Sequence, residues 1–129
     1  MSQANLELLR DMYGRATLSE FAESLHPEAE LRQASVIPDA DDYFGREEFL
    51  RGTLLWHEEW ESFTYRPLEF RDFGERVLIR VRLSGRGRSS SVELHMTLFH
   101  LWTYRENMPW RCEVFVDERN ALEAAGLSE

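Results

Sequence analysis

Hydrophobic and polar residues alternate along much of the second half of the chain, a pattern that predicts β-strands. The clearest alternation covers residues 76–83, where every second side chain is aliphatic and the others are mostly arginine. A longer stretch at 90–105, SSVELHMTLFHLWTYR, contains neither Gly nor Pro and would form a strand about 50 Å long. A compact chain of this length has a radius of gyration of only about 14 Å, so the strand has to coil around the rest of the molecule.

Apolar residues at helical spacing predict four helices, three of them in the first half of the chain. The segment 46–60 has the widest apolar face, with Glu and Arg on the opposite side. Thr17 and Asp117 are suitable N-caps, and Gly126 suits the position after the last helix. The predicted helices cover residues 5–13, 18–25, 46–60 and 118–125.

Strand-like segments at 30–36, 63–73 and 110–116 complete the set of elements. Pro67 interrupts the second of them, which predicts an edge or bulged strand, and SGRGRSS at 84–90 predicts a flexible connection. The order α-α-β-α-β-β-β-β-α, with an antiparallel meander after the helices, indicates the α+β class. We predict one domain over residues 1–129, a cone-shaped α+β barrel whose strongly curved antiparallel sheet wraps around N-terminal helices and an apolar interior.

Several motifs along the chain resemble the SnoaL-like branch of the nuclear-transport-factor-2-like superfamily. They are HPEAELR at 26–32, an aromatic residue followed by GREEF at 44–49, WxxxW at 56–60, GERVLIRVRLSGRGRSS at 74–90, HLWTYR at 100–105 and VFVDERNALEAAGL at 114–127. The superfamily includes ketosteroid isomerases, polyketide cyclases and limonene-epoxide hydrolases. The resemblance implies an α+β barrel with a pocket at its wide end and a homodimer formed through the sheet.

The residues of the ketosteroid isomerases do not carry over. Their general-base carboxylate corresponds to a position near Gln33, and an amide does not take up a proton. Their hydrogen-bonding tyrosine on the first helix corresponds to Leu9, with Tyr13 one turn later, and their acidic donor to the substrate oxygen corresponds to His100. Ketosteroid isomerisation is therefore disfavoured.

Composition narrows the classes of partner. A net charge of −9 argues against nucleic acid and anionic membranes as partners. The single cysteine, Cys112, fits a reducing cytoplasm, no apolar run reaches membrane-spanning length, and the N-terminus lacks the layout of a signal peptide. The four histidines and the cysteine have no zinc spacing, so we expect neither a metal nor a cofactor.

Three residues are candidates for catalysis. His100 lies in the middle of the long strand, and its ordinary pKa near 6.5 suits general acid or base catalysis. The alternative for His100 is a structural hydrogen bond to a neighbouring strand or across a dimer interface. Glu113 shares its parity with Phe115, an aromatic pocket position in related sequences, and so is a candidate inward carboxylate. Asp39 lies in an acidic loop at the expected cavity mouth, where a solvated turn is the alternative.

Aromatic residues provide candidate walls for a ligand pocket. Large flat side chains favour a flat, apolar ligand, although the same residues also build ordinary cores. For His57 the alternative is a packed helix-face histidine, and His95, opposite in parity to His100, is expected on the outer face. The candidate ligand-binding residues are Tyr13, Trp56, His57, Trp60, Trp102 and Phe115.

Together these observations predict a cytoplasmic, homodimeric protein that binds a small apolar or cyclic organic molecule. The first hypothesis for its function is a cofactor-independent isomerase, cyclase or hydrolase that uses acid–base catalysis. The second hypothesis is a non-catalytic ligand-binding or protein-interaction module of the same fold. Parity places His100 with Trp102 and opposite His95 and Phe99, but the pattern leaves open which pair faces the pocket.

Overall fold

The computed structural model describes residues 3–14, 18–33, 42–58, 60–89 and 92–126. These residues form four helices, in the places where helical spacing predicts them. Helix α3 ends three residues before the predicted end, because the chain at residue 60 already belongs to a strand. The predicted N-cap Thr17 lies outside the described residues. The helices are α1 (Gln3–Gly14), α2 (Leu18–Glu23), α3 (Arg46–His57) and α4 (Glu118–Ala124).

The strands form one mixed sheet in the order β2-β1-β6-β5-β4-β3. Strands β3 to β6 make the predicted antiparallel meander, and β1 pairs with β6 in parallel, so the complete sheet is mixed. Parallel neighbours require a long crossover connection, and helix α3 together with the meander supplies it. The strands are β1 (Glu30–Arg32), β2 (Tyr43–Phe44), β3 (Trp60–Asp72), β4 (Arg76–Gly87), β5 (Glu93–Arg105) and β6 (Met108–Phe115).

Three long strands let the sheet curl into a half-barrel around the N-terminal helices. Strand β5 has 13 residues and begins at Glu93, so it is a long strand that starts later than the predicted position 90. Strand β4 continues to Gly87, so residues 84–87 belong to a strand and not to the expected flexible connection. Strand β3 lies at the edge of the sheet, and its register shifts between Pro67 and Glu69, which confirms the prediction made from the proline.

Each face of the sheet has its own hydrophobic core. On the inner face, Val77, Ile79 and Val81 of β4 pack with Leu9 and Met12 of α1. The outer face carries a second cluster, formed by Leu78, Phe99, Leu101, Phe115 and Ala121, which packs α4 against the sheet. Burying one such aliphatic side chain contributes about 1.5–3 kcal/mol, so both faces help to hold the sheet in its curled form.

Two local features set the ends of the elements, and the first of them was predicted from the sequence. The Asp117 carboxylate accepts hydrogen bonds from the backbone N–H groups of Arg119 and Asn120, at 2.8 and 3.2 Å, and so caps α4. Between β5 and β6, Glu106 and Asn107 both have positive φ, as a two-residue hairpin turn of type I′ requires. That turn fixes the register in which the two strands pair.

Candidate functional site

The register of the central strands decides which way His100 and Trp102 point. His100 lies between Ile79 of β4 and Val114 of β6, and Trp102 lies between Val77 and Cys112. Alternate residues of a strand point to the same face, and these partners belong to the inner core. His100 and Trp102 therefore face the N-terminal helices.

His95 and Phe99 point to the other side of the sheet. Phe99 belongs to the core under α4. His95 is exposed, and its Nδ1 lies 3.0 Å from the Ser84 hydroxyl. The predicted outer position of His95 is therefore confirmed. The pair that lies on the inner face of the sheet is His100 and Trp102.

Helix α1 brings a tyrosine hydroxyl to both of these side chains. The Tyr13 oxygen lies 2.6 Å from Nδ1 of His100 and accepts a hydrogen bond of 2.8 Å from the indole N–H of Trp102. Leu9 and Met12 anchor the buried side of α1 and so hold Tyr13 over the sheet. Tyr13 and His100 are separated by 87 positions in the sequence, and only the packing of the helix on the sheet joins them.

Aromatic rings surround this hydrogen-bonded group. The Tyr13 ring meets Phe21 and Phe70 edge to face at 6.2 and 6.4 Å between centroids. Tyr65 approaches the His100 ring at 5.9 Å, and Phe49 stacks on Trp102 at 6.0 Å. The imidazole thus lies in an apolar enclosure of the kind that lines small-molecule sites.

Burial keeps the polar members of the group neutral. Only 8% of the His100 surface is exposed, and burial lowers its pKa to about 4. Burial also raises the pKa of Tyr13 well above its ordinary value, against a smaller opposite effect of the Trp102 hydrogen bond. At neutral pH the site therefore holds an uncharged imidazole and a protonated phenol.

One ring nitrogen of His100 is available for a ligand. Nδ1 is engaged with Tyr13, whereas Nε2 has no hydrogen-bond partner among the residues that the structure describes. A ring nitrogen without a protein partner can hydrogen-bond to water or to a ligand. Nε2 is therefore the position where this site can make contact with a bound molecule.

Glu113 and Phe115 lie on the outer face of the sheet, away from His100. Glu113 is paired in register with Leu101, and Phe115 with Phe99, and Phe115 packs in the cluster under α4. The prediction that both side chains lie on one face of the sheet was right. The prediction that this face is the inner one, with Glu113 as an inward carboxylate and Phe115 as a pocket wall, is wrong. Helix α4 covers this face, so these side chains do not approach the Tyr13 hydroxyl group.

The sequence pattern predicted that Trp60 would lie on the apolar face of α3. In the structure Trp60 is instead the first residue of strand β3. It is buried against Leu83 and Leu98, farther along the inner face than His100. Tyr65 and Val114 contact both this cluster and the main inner core, so Trp60 lies on the same side of the sheet as the site. Asp39 and the side chains of Trp56 and His57 lie outside the part of the chain that the structure describes.

Sequence reasoning missed the contribution of strand β3 to the enclosure. Tyr65 and Phe70 are an odd number of residues apart, so strict alternation would place them on opposite faces. The register shift at Pro67 instead pairs Tyr65 with Leu83 and Phe70 with Ile79, which puts both aromatic rings on the inner face. The proline was the available signal, because a bulge there reverses parity.

Other features of the described residues offer little chemistry. No group of three or more His, Cys, Asp or Glu side chains is placed to hold a metal ion within these ranges. Burial raises the pKa of the Cys112 thiol, which is therefore protonated at neutral pH. A surface depression of about 550 Å³ lies beside Asn5 and the β5–β6 turn, at the opposite end of α1 from Tyr13. None of the helices in the described segments is long and apolar enough to cross a membrane.

Comparison with solved structures confirms the predicted fold. The chain is similar to a protein of ketosteroid isomerase-like fold from Catenulispora acidiphila, in complex with trimethylamine, at 10% identity and a TM-score of 0.73, over 98% of this chain and 95% of the other. It is also similar to a nuclear-transport-factor-2-like protein from Burkholderia thailandensis, at 22% identity and a TM-score of 0.77, over 94% and 96% of the two chains.

A third similar structure is a candidate SnoaL-like polyketide cyclase from a Jannaschia species, at 14% identity and a TM-score of 0.74, over 93% and 90% of the two chains. No family model matches the sequence, and no curated protein matches it either. The chain thus has the nuclear-transport-factor-2-like fold. Since one fold hosts many functions, the function has to be argued from the site.

Proposed function

We propose that the protein binds a small, flat organic molecule in the aromatic enclosure around His100. The observation that carries this proposal is that Nε2 of His100 has no hydrogen-bond partner among the described residues and lies among aromatic rings, while Nδ1 is held by Tyr13. A ligand hydrogen bond to this nitrogen would contribute about 0.5–1.5 kcal/mol to binding. The complex of the Catenulispora acidiphila protein with trimethylamine supports small-molecule binding as a use of this fold.

Acid–base catalysis on the bound molecule is the first candidate for the activity. The resemblance to SnoaL-like proteins suggests an isomerase, a cyclase or a hydrolase that needs no cofactor. In such a reaction His100 would exchange a proton with the ligand through Nε2, and the aromatic rings would orient the ligand and exclude water. A dimeric assembly and a cytoplasmic location belong to the same proposal.

The second candidate is a binding protein without catalysis. The low pKa of His100, about 4, favours it, because an imidazole of such low basicity is a poor general base at neutral pH. In this case the same enclosure and the same nitrogen would select a ligand without transforming it. Turnover of a bound compound distinguishes the two candidates.

The experiment begins with native mass spectrometry of the purified protein to detect a co-purified small molecule. We expect the wild-type protein to retain such a molecule, and His100→Ala to lose it or to bind it about tenfold more weakly, because one buried hydrogen bond is lost. His95→Ala is the matched control, since His95 is an exposed histidine of the same strand on the other face. Equal retention by folded His100→Ala and His95→Ala would refute the site.

A further inference from the structure

We infer that Tyr13 and Trp102 hold His100 in one neutral tautomer, with its proton on Nε2, so that the site offers its ligand an N–H donor. The ligand class that follows is a molecule with an acceptor oxygen, such as an aromatic ketone. The tautomer follows from the hydrogen bonds of the protein alone, whereas the ligand class rests on the proposed function. Tyr13 is then a positioning residue, which acts on the ligand through His100.

The direction of each hydrogen bond follows from the chemistry of its partners. An indole N–H is only a donor, so the Tyr13 oxygen must accept from Trp102. The phenol has one proton of its own, and Nδ1 of His100 is the other polar atom that its hydroxyl contacts in the described structure. The phenol therefore donates to Nδ1, which must carry a lone pair, and the imidazole proton is on Nε2.

The opposite tautomer, with the proton on Nδ1, leaves one hydrogen-bond donor of the Tyr13, His100 and Trp102 group without an acceptor. A proton on Nδ1 would make the Tyr13 oxygen accept from both His100 and Trp102, and the phenol O–H would then have no acceptor among the described residues. An unsatisfied buried donor lowers the population of such a state about tenfold or more. A charged imidazole has the same defect, because it too has a proton on Nδ1.

The tautomer determines which polar group a ligand needs in order to bind next to His100. The ring contacts of His100 are Tyr13 and Tyr65, neither of which is a carboxylate. The described residues around His100 therefore present a neutral donor and no carboxylate at this point, which suits an uncharged molecule with an acceptor oxygen. The indole of Trp102 is important here although it is remote from Nε2, since it determines where the phenol proton goes.

The tautomer is tested by long-range ¹H–¹⁵N correlation spectra of protein labelled with ¹⁵N-histidine, without any ligand. We expect His100, assigned by its loss in His100→Gln, to show a protonated Nε2 and an unprotonated Nδ1 at neutral pH. In Tyr13→Phe, which keeps the ring and removes the hydroxyl, both ring ¹⁵N shifts should move, because Nδ1 loses its donor. Tyr104→Phe is the control, since the Tyr104 hydroxyl donates to the Asn5 carbonyl and not to His100.

A protonated Nδ1 in the wild-type protein would overturn the tautomer. Unchanged His100 shifts in Tyr13→Phe would overturn the positioning role of Tyr13. The spectra of Trp102→Phe give an independent check. Without the indole donor, the phenol O–H can turn toward water in the space that the indole leaves, its oxygen can then accept from Nδ1, and a second tautomer should appear.

The ligand class is tested with two probes of the same planar shape, indanone and its hydrocarbon counterpart indane. We expect the wild-type protein to bind indanone about tenfold more tightly than indane, and the ratio to fall toward one in His100→Phe. Equal binding of both probes by the wild type would overturn the ligand class and leave the proposed site standing. Absence of binding for both would overturn the ligand class and count against the small-molecule site itself, while the tautomer is decided by the spectra.

Discussion

The neighbours of His100 set the properties of this residue. Burial removes its charge, Tyr13 occupies one ring nitrogen, and the other has no hydrogen-bond partner among the described residues. In an exposed strand the same histidine would titrate in the ordinary range near 6.5. The environment therefore converts a common pH-sensitive side chain into a neutral hydrogen-bonding group.

This burial predicts a specific loss of stability in acid. The unfolded chain protonates His100 near pH 6.5, whereas the folded protein does so only near pH 4. The stabilising effect of the neutral form is therefore complete above about pH 6.5 and is lost as the pH falls toward 4. The interval corresponds to about 3 kcal/mol of unfolding free energy, since each pH unit is worth about 1.4 kcal/mol.

Urea unfolding of the wild type and of His100→Gln at pH 7 and pH 4.5 measures this effect, because the other titrating groups are common to both proteins. The wild type should lose about 2.5 kcal/mol more than the variant on acidification, because pH 4.5 is still slightly above the folded pKa of about 4. The exposed His95 provides the control, and His95→Gln should behave like the wild type. Parallel losses in the wild type and His100→Gln would contradict the buried, neutral state.

Among the elements, α3 depends on one close approach to β2. Gly52 lies in the middle of the helix, where glycine is unfavourable by about 1 kcal/mol relative to alanine. The ring of Tyr43 occupies the space beside it, so that a Cβ added at Gly52 would lie 2.6 Å from the ring. The residue that weakens the isolated helix is thus the one that allows the helix to pack.

Gly52→Ala should therefore destabilise the protein, by about 1–3 kcal/mol, although alanine favours the helix. Gly14→Ala is the matched control: outside its own turn of helix, no atom of the described residues lies within 4 Å of a Cβ added there, and the change should be neutral or slightly stabilising. Thermal unfolding of both variants, together with the double variant Gly52→Ala, Tyr43→Ala, measures the contact. If Gly52→Ala alone were stabilising, the tight packing of Tyr43 on α3 would be wrong.

At the scale of the whole molecule, the sheet separates two packed layers. Its inner face, under α1 to α3, carries the polar group around His100, and its outer face packs α4. Phe115 belongs to the second core, where it contributes to stability. Changes on the two faces should accordingly have different consequences.

Phe115→Leu is expected to lower the free energy of unfolding by about 1–3 kcal/mol, because part of a buried ring is lost from the α4 core. The ¹⁵N shifts of His100 and the retention of ligand should stay at wild-type values, since Phe115 points away from Tyr13 and Trp102. Urea unfolding and the histidine spectra of the same sample measure both quantities. Loss of ligand from a stably folded Phe115→Leu would contradict the separation of the two faces.

The sequence by itself determined the features that depend on local periodicity and local capping. Alternation at 76–83 predicted β4, Asp117 predicted the start of α4, and parity alone paired His100 with Trp102 and Glu113 with Phe115. These predictions succeed because a strand has a period of two and a helix cap requires a side-chain acceptor, whatever the rest of the chain does.

Only the tertiary structure decided which face of each strand meets the helices. Parity groups residues but does not say which element will cover them, so Glu113 and Phe115 were assigned to the wrong side. The parallel pairing of β1 with β6 and the parity reversal at Pro67 both depend on neighbours distant in sequence. The contact of Tyr13 with His100 is of the same kind: two residues 87 positions apart meet because apolar surfaces of α1 and the sheet are buried together, and that burial has no local signature.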